Sequence, residues 1–203
     1  MFSLKDPIEL LYFVIGLVVA ITVHEFAHAL VAFRLGDPTA KRHGRLTLNP
    51  IAHLDPLGTL FLILFRFGWG KPVPVDPNNF QHPRRDGLIT ALAGPITNLL
   101  AAATLSLAYN LLLPNLTDFV VGLLQVMIVI NVLLALFNLL PVPPLDGSKI
   151  AYILFPKIDE RKFEIYGMIT LLALVLIFPS VISRVIWPVA EVILDLLGLG
   201  SVL

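Results

Sequence analysis

No cysteine occurs in this chain, which excludes disulfides, thiolate metal sites and cysteine nucleophiles, and leaves the redox compartment unreadable. Charge is scarce as well. Asp, Glu, Lys and Arg make up 14% of the residues, where soluble domains carry about 25%. The 14 basic and 14 acidic groups cancel, so no net field points to nucleic acid as a partner. Internal repeats and low-complexity tracts are lacking too. The chain is instead 57% hydrophobic, with a mean hydropathy of +0.88 and apolar runs longer than a core helix needs. Such runs imply a lipid bilayer, and the 203 residues suffice for a single domain, 1–203, embedded in it.

Four segments are long enough to span: about 7–35, 87–113, 118–140 and 163–178. The first opens on Pro7, which suits a first helical turn; the third ends at Pro141, Pro143 and Pro144, which cannot continue a helix. A tail at 181–199 is apolar but broken by Pro188 and carries Glu191 and Asp195, so it reads as a spanning or an interfacial helix. Between 57 and 67 lies "LGTLFLILFRF". A helix of that length covers about 16 Å, too little for a hydrocarbon core of roughly 30 Å, which indicates a short or re-entrant segment. The expected fold is an all-α polytopic membrane protein with about 5–6 membrane segments, a core at 7–155 and C-terminal helices at 156–203. "GRLTL" (44–48) and "KPVPV" (71–75) look extended, which allows a small β-sheet at the membrane face; irregular loop is the alternative. The N-terminal region does not read as a cleavable signal, since acidic Asp6 and Glu9 accompany Lys5.

Basic residues distribute unevenly over the loops. Arg34, Lys41, Arg42 and Arg45 precede the short run, Lys71, Arg84 and Arg85 follow it, and Lys149, Lys157, Arg161 and Lys162 follow the third span. The opposite face has Lys5 and a loop, "PNLT", without a basic residue. The positive-inside rule therefore places 35–56, 68–86 and 141–162 in the cytoplasm, with the N-terminus outside.

The first span contains "VVAITVHEFAHALVAF" (18–33), with His24, Glu25 and His28 amid lipid-compatible flanks. One helical turn separates the two histidines, so both imidazoles can reach one ion while Glu25 projects beside them. Catalytic zinc takes three protein ligands and keeps its fourth position for water, whose proton a neighbouring Glu can accept. The alternative is a set of buried polar groups tied up in interhelical hydrogen bonds. Three ionisable groups so close together inside a membrane favour the metal, because such groups are costly there and usually functional. For the third ligand the best candidate is Asp146 in "NLLPVPPLDGSKI" (138–150), where proline-broken backbone can line a cavity. The competing role for Asp146 is a helix cap ahead of "GSKIAYILF". His24 and His28 lie about 10–17 Å before Leu35, so the site falls beneath the cytoplasmic surface, within the membrane.

With these motifs assembled, the chain resembles the site-2 protease family of intramembrane zinc metalloproteases. The HExxH helix, the N-x-x-P-x-P-P-L-D-G segment and "AGPITN" (93–98) carry the resemblance, over roughly residues 15–155. It implies one Zn2+ per chain held by His24, His28 and Asp146, Glu25 as general base, Asn138 near the scissile carbonyl, and Asn98 as possible support for substrate or transition state. His43, His53 and His82 read as loop residues rather than ligands. Larger relatives carry PDZ, CBS or other regulatory modules that have no counterpart in this sequence.

The function implied is hydrolysis of peptide bonds within or near transmembrane segments, with single-span membrane proteins as substrates, in a prokaryotic cell membrane. Oligomeric state is not legible. A membrane metal transporter or metal-binding scaffold would explain the ligands, but it gives Glu25 no task, and the outer half of the first span offers no polar path. A prenyl-protein endopeptidase would take its third ligand from a later Glu, but Glu160, Glu164 and Glu191 lack that context. Zinc analysis of Asp146→Ala separates this last assignment from the site-2 protease one: stoichiometry is expected to fall well below one per chain, and an unchanged value would pass the third position to another residue.

Overall fold

The computed structural model describes residues 6–58, 69–155 and 157–200. Three helices are long and apolar enough to cross a membrane, and they pack on one another in pairs. Helix α1 (Pro7–Arg34) starts where Asp6 accepts a hydrogen bond from the Ile8 N–H (2.8 Å), with Pro7 in the first turn, where its missing donor costs nothing. A four-residue helix, α2 (Thr39–Arg42), follows after Gly36, whose φ of 107° lies in the left-handed region. Helix α3 (Pro83–Leu112) again opens on proline and contains Pro95; helix α4 (Asp118–Asn138) completes the trio. Three short helices of the other kind, 3₁₀ turns at Pro50–Ala52, Pro77–Asn79 and Leu113–Asn115, shape the connections.

Lipid tails are as apolar as leucine, so helix association in a bilayer rests on close packing of small residues and on polar contacts. The sequence supplies both. Ala20, Ala27, Ala29 and Ala32 are buried on α1, as are Ala91, Ala93, Gly94 and Ala102 on α3. At the α1–α4 crossing a Cβ on Gly16 would come to 3.0 Å from Ile130 Cδ1. One buried cluster joins Tyr12 and Ala20 to Val126 and Ile130; another joins Ala102 and Tyr109 to Ile128, Val129 and Val132. Away from these seams Ile96, Leu100, Leu107 and Leu111 form an exposed apolar stripe along α3, which is the expected face toward lipid.

The C-terminal third departs from separate spans. Helix α5 (Ser148–Leu154) is short, and α6 (Glu160–Leu176) meets α7 (Pro179–Leu196) at 86°, so the two together form a broken span or a re-entrant unit. Pro179 explains the break, because it cannot continue α6. Ala190 and Leu194 of α7, with Leu199, pack into the second cluster, whereas α6 buries little of its surface. The described residues thus contain three spans, or four counting the bent pair, against the expected 5–6 segments. Most of the run at 57–67 lies outside the described residues.

The sheet expected at the membrane face does not form among the described residues. Segment 44–48 contains a turn and bends; segment 71–75 is free of helix and turn but lies in no ladder. A single antiparallel bridge joins Leu54 to Gly70. Several of the backbone groups a ladder would use are absent or taken. Pro72 and Pro74 lack donors, and the Arg45 guanidinium donates to the carbonyls of Lys71 and Pro72.

Candidate metal centre

His24, Glu25 and His28 of α1, Thr90 of α3 and Asn131 and Asn138 of α4 lie in the halves of the spans nearer Arg34, Pro83 and Asn138, and Asn98 lies at the middle of α3. His24 and His28, one turn apart on α1, both face α3 and are buried, with ring centroids 4.6 Å apart and ring planes at 85°. Asp146 reaches them from the loop beyond α4. That loop is closed by a bond from the Gly147 N–H to the Asn138 carbonyl (2.7 Å), and Gly147 lies so near the Leu139 carbonyl that no side chain fits. The capping role open to Asp146 is not taken: α5 has no side-chain cap, and the carboxylate turns to the histidines instead.

One ligand atom from each of His24, His28 and Asp146 falls within 4.8 Å of the others. Asp146 Oδ2 lies 3.1 Å from His24 Nε2 and 3.3 Å from His28 Nε2. Ligand atoms around tetrahedral zinc, at about 2.0–2.2 Å from the metal, stand roughly 3.3 Å apart. The spacing suits the ion.

Hydrogen bonding decides what those three atoms present to one another. His28 Nδ1 faces the Thr90 carbonyl at 2.7 Å, so it must donate. His24 Nδ1 faces Asn98 Oδ1 at 2.6 Å. The Asn98 amide cannot be reversed, because its Nδ2 donates to the Ala20 carbonyl (3.0 Å) and to Asn131 Oδ1 (2.8 Å). Asn131 is oriented in turn by donating to the Met127 carbonyl (2.8 Å). The Thr90 carbonyl and the anchored Asn98 amide therefore place a proton on Nδ1 of both rings, so that in the neutral form each Nε2 presents a lone pair. Two lone pairs and a carboxylate oxygen converge, and Asp146 Oδ2 is buried with no hydrogen-bond donor. A set of acceptors closing on one point repels itself unless a cation lies between them. Gly94 leaves the room: a Cβ there would stand 2.5 Å from His28 Nε2 and 2.6 Å from His24 Nε2. These donors fit Zn2+.

Glu25 lies beside the group, half-buried, its Oε2 accepting from the Val73 N–H at 3.0 Å. A cavity of ≈ 950 Å³ opens onto these residues, walled by Trp69 to Val75 on one side and by Met168, Leu171 and Leu172 of α6 on another. Asn138 lines it too, its Nδ2 bonded to the Leu134 carbonyl (2.9 Å). Asn98 does not. It is fully buried and its amide groups are engaged, so it orients a histidine where sequence had suggested contact with substrate.

His53 is buried away from this group and donates from Nε2 to the Thr47 carbonyl (2.8 Å); His43 bonds the Thr39 carbonyl (2.9 Å), and His82 precedes α3. None joins the metal-binding group among the described residues. Sequence reading passed over Asn131, although it is an amide in the middle of the most apolar span, and over the Thr90 carbonyl and Val73 N–H, which as backbone groups leave no trace in a sequence.

A family model described as peptidase family M50 matches residues 114–178. The chain is 45% identical over 195 residues to a Bacillus subtilis (strain 168) protein named "Putative zinc metalloprotease YwhC", covering 90% of this chain and 87% of that protein. It is 36% identical over 142 residues to the protein of Mycolicibacterium smegmatis named "Putative zinc metalloprotease Rip2", and 32% identical over 136 residues to its namesake in Mycobacterium tuberculosis strain H37Rv. Each of these two alignments covers 65% of this chain and 52% of the relative, so the chain spans about half their length. No solved structure matches.

Two substitutions test the geometry. Gly94→Ala is expected to abolish stoichiometric zinc binding while the helical circular dichroism stays unchanged, because the methyl group takes the space beside both Nε2 atoms. Asn98→Ala is expected to weaken zinc affinity about 10–100-fold, read by competition with a chelator, since the tautomer of His24 is no longer held.

Proposed function

The chain belongs to peptidase family M50, zinc metalloproteases of the site-2 protease type, and on that premise we propose that it cleaves single-span membrane proteins at a centre made by His24, His28, Asp146 and Glu25. The carrying observation is the position of Glu25. Its Oε2 is held by the Val73 N–H beside three converging ligand atoms, at the wall of a cavity large enough for a peptide segment. A site built only to hold a metal has no use for that carboxylate.

Zinc, when bound, supplies Lewis acidity to the attacking water and to the scissile carbonyl. Glu25 takes the water's proton as the new C–O bond forms, and passes it to the departing amide nitrogen as the C–N bond breaks. Asn98 and the Thr90 carbonyl keep the two imidazoles aimed throughout. Asn138, on the cavity wall, is placed to contact the substrate backbone near the cleaved bond.

A helical substrate hides its carbonyls in its own hydrogen bonds, so it must unwind locally to be cut. Segment 71–75 offers the replacement. The Val75 N–H and the carbonyls of Val73 and Val75 have no hydrogen-bond partner among the described residues, and they border the cavity. An extended stretch of substrate would pair there as an added strand.

The centre sits about 10–17 Å inside the end of α1 that leads into the basic loops, which on the positive-inside rule is the cytoplasmic end in a prokaryotic membrane. On this reading three full crossings, the two arms of the α6–α7 bend and the short run at 57–67 provide the expected 5–6 membrane segments. Reconstituted with a single-span reporter whose span contains a Gly-Pro break, Glu25→Gln is expected to retain zinc and lose cleavage by about 10²–10⁴-fold. Cleavage by that variant at the wild-type rate, or zinc flux through wild-type liposomes without cleavage, would overturn the proposal.

A further inference from the structure

Arg45 is buried in the loop after α2, yet no carboxylate lies within ion-pair distance among the described residues. Burying a guanidinium without a counter-ion is unfavourable, so its hydrogen bonds should show what it is for. Nη1 donates to the Pro72 carbonyl (3.1 Å) and Nη2 to the Lys71 carbonyl. The Arg45 backbone is itself tied down, its N–H donating to the Ala40 carbonyl of α2 (2.9 Å). One fork thus grips two successive peptide units just ahead of Val73. The Lys71 N–H adds a third tie, to the His53 carbonyl (2.8 Å).

The far end of the same segment is held by Asp37, which is fully buried. Its Oδ2 accepts from the Asp76 N–H (2.8 Å), and its Oδ1 from Asn79 Nδ2 (2.8 Å) and from the Thr39 N–H (2.9 Å) and hydroxyl (2.5 Å). Burial alone would raise the Asp37 carboxyl, but these bonds from Thr39, Asp76 and Asn79 outweigh it and hold the group below the usual carboxylate range. Asp37 is in turn fastened to α1, its N–H donating to the Ala32 carbonyl (2.9 Å). The helix that carries His24, Glu25 and His28 therefore also carries one of the two pins.

We propose that Arg45 and Asp37 are positioning residues: they clamp segment 71–76 at its two ends, so that its free groups form a pre-set edge for peptide and its Val73 N–H aims Glu25. This rests on the protease reading for its consequence, though not for the clamp itself. Between the pins the chain has few ties of its own. Pro72 and Pro74 have no N–H, the Val73 N–H goes to Glu25, and the Val75 N–H is without a partner among the described residues. Such a stretch would wander without outside support, and with it both the base and the docking edge would lose their register. Two further observations agree. Arg45 is close enough to Glu25 for the two charges to interact. A Cβ on Gly70, at the start of the segment, would lie 3.9 Å from Glu25 Oε1, so the segment runs directly past the carboxylate. Arginine suits this task better than lysine, since a planar fork can span two carbonyls and a point charge cannot.

The test uses the zinc-loaded full chain in liposomes, with Arg45→Gln and Arg45→Lys compared by zinc content, amide hydrogen exchange and cleavage of the single-span reporter. Arg45→Gln is expected to keep its zinc, to speed exchange at the hydrogen-bonded amides of Lys71 and Val73 by roughly tenfold or more, and to lower kcat/KM by a similar factor, with KM rising as well as kcat falling. Arg45→Lys should fall between the two. Unchanged exchange at Lys71 and Val73 in Arg45→Gln overturns the clamp, and so does loss of zinc in both variants, which would make Arg45 a general structural residue. If the wild-type protein fails to cut the reporter while exchange at Lys71 and Val73 still responds to Arg45→Gln, the clamp stands and the protease reading is what fails.

Discussion

Three acceptors aimed at one point inside an apolar bundle form the constraint on which the rest of this structure depends. Two imidazole lone pairs and a carboxylate oxygen that lacks a hydrogen-bond donor repel one another when they close on one point. A cation between them resolves the conflict, and the protein leaves the Nε2 side of both rings turned toward it. Each histidine's own proton is committed on the far side of the ring, His28 to the Thr90 carbonyl and His24 to Asn98. The bundle's choice of small residues follows from the same need. Gly94 stands where any side chain would press on both rings, and alanines around it let α1 and α3 approach closely enough for ring-to-backbone bonds.

That arrangement reaches deeper than the ring contacts. The chain His24–Asn98–Asn131 crosses all three spans, and each amide is oriented by a backbone carbonyl, Ala20 or Met127. The core is held together by apolar packing, but its polar centre specifies how the helices are set against one another. Sliding α1 by one residue against α3 would break both ring bonds, and sliding α4 would break the bond between Asn98 and Asn131. The bond that best explains the family's proline-rich loop is modest by comparison: the Gly147 N–H on the Asn138 carbonyl turns the chain back so that Asp146 points into the bundle.

Outside the membrane-spanning part, the loops serve the same centre by different means. Segment 71–76 has little internal hydrogen bonding and takes its shape from Arg45, His53 and Asp37. It borders the cavity and touches Glu25, so the placement of the proposed base depends on residues twelve and twenty positions further along the chain. Helix α6 forms the opposite wall with its apolar side chains and buries little surface of its own.

Much of this was legible from sequence for a clear physical reason. A bilayer demands long apolar runs, and a metal demands ligands at fixed helical spacing, so the spans at 7–35, 87–113 and 118–140 and the group His24, Glu25, His28 and Asp146 announce themselves. Local rules reached no further where tertiary contacts compete with them. The sheet anticipated from 44–48 and 71–75 lost several of its backbone groups to proline and to an arginine side chain, and the span anticipated at 163–178 and the spanning or interfacial helix anticipated at 181–199 became two arms of one bend. Asn98 illustrates the division. Its sequence marked it as a polar residue near a site, but only the folded bundle, by placing the Ala20 carbonyl against one side of its amide and His24 against the other, decided which way it faces and therefore what it does. Sequence determined the donors and their depth; the packing of three helices determined which lone pairs were left bare.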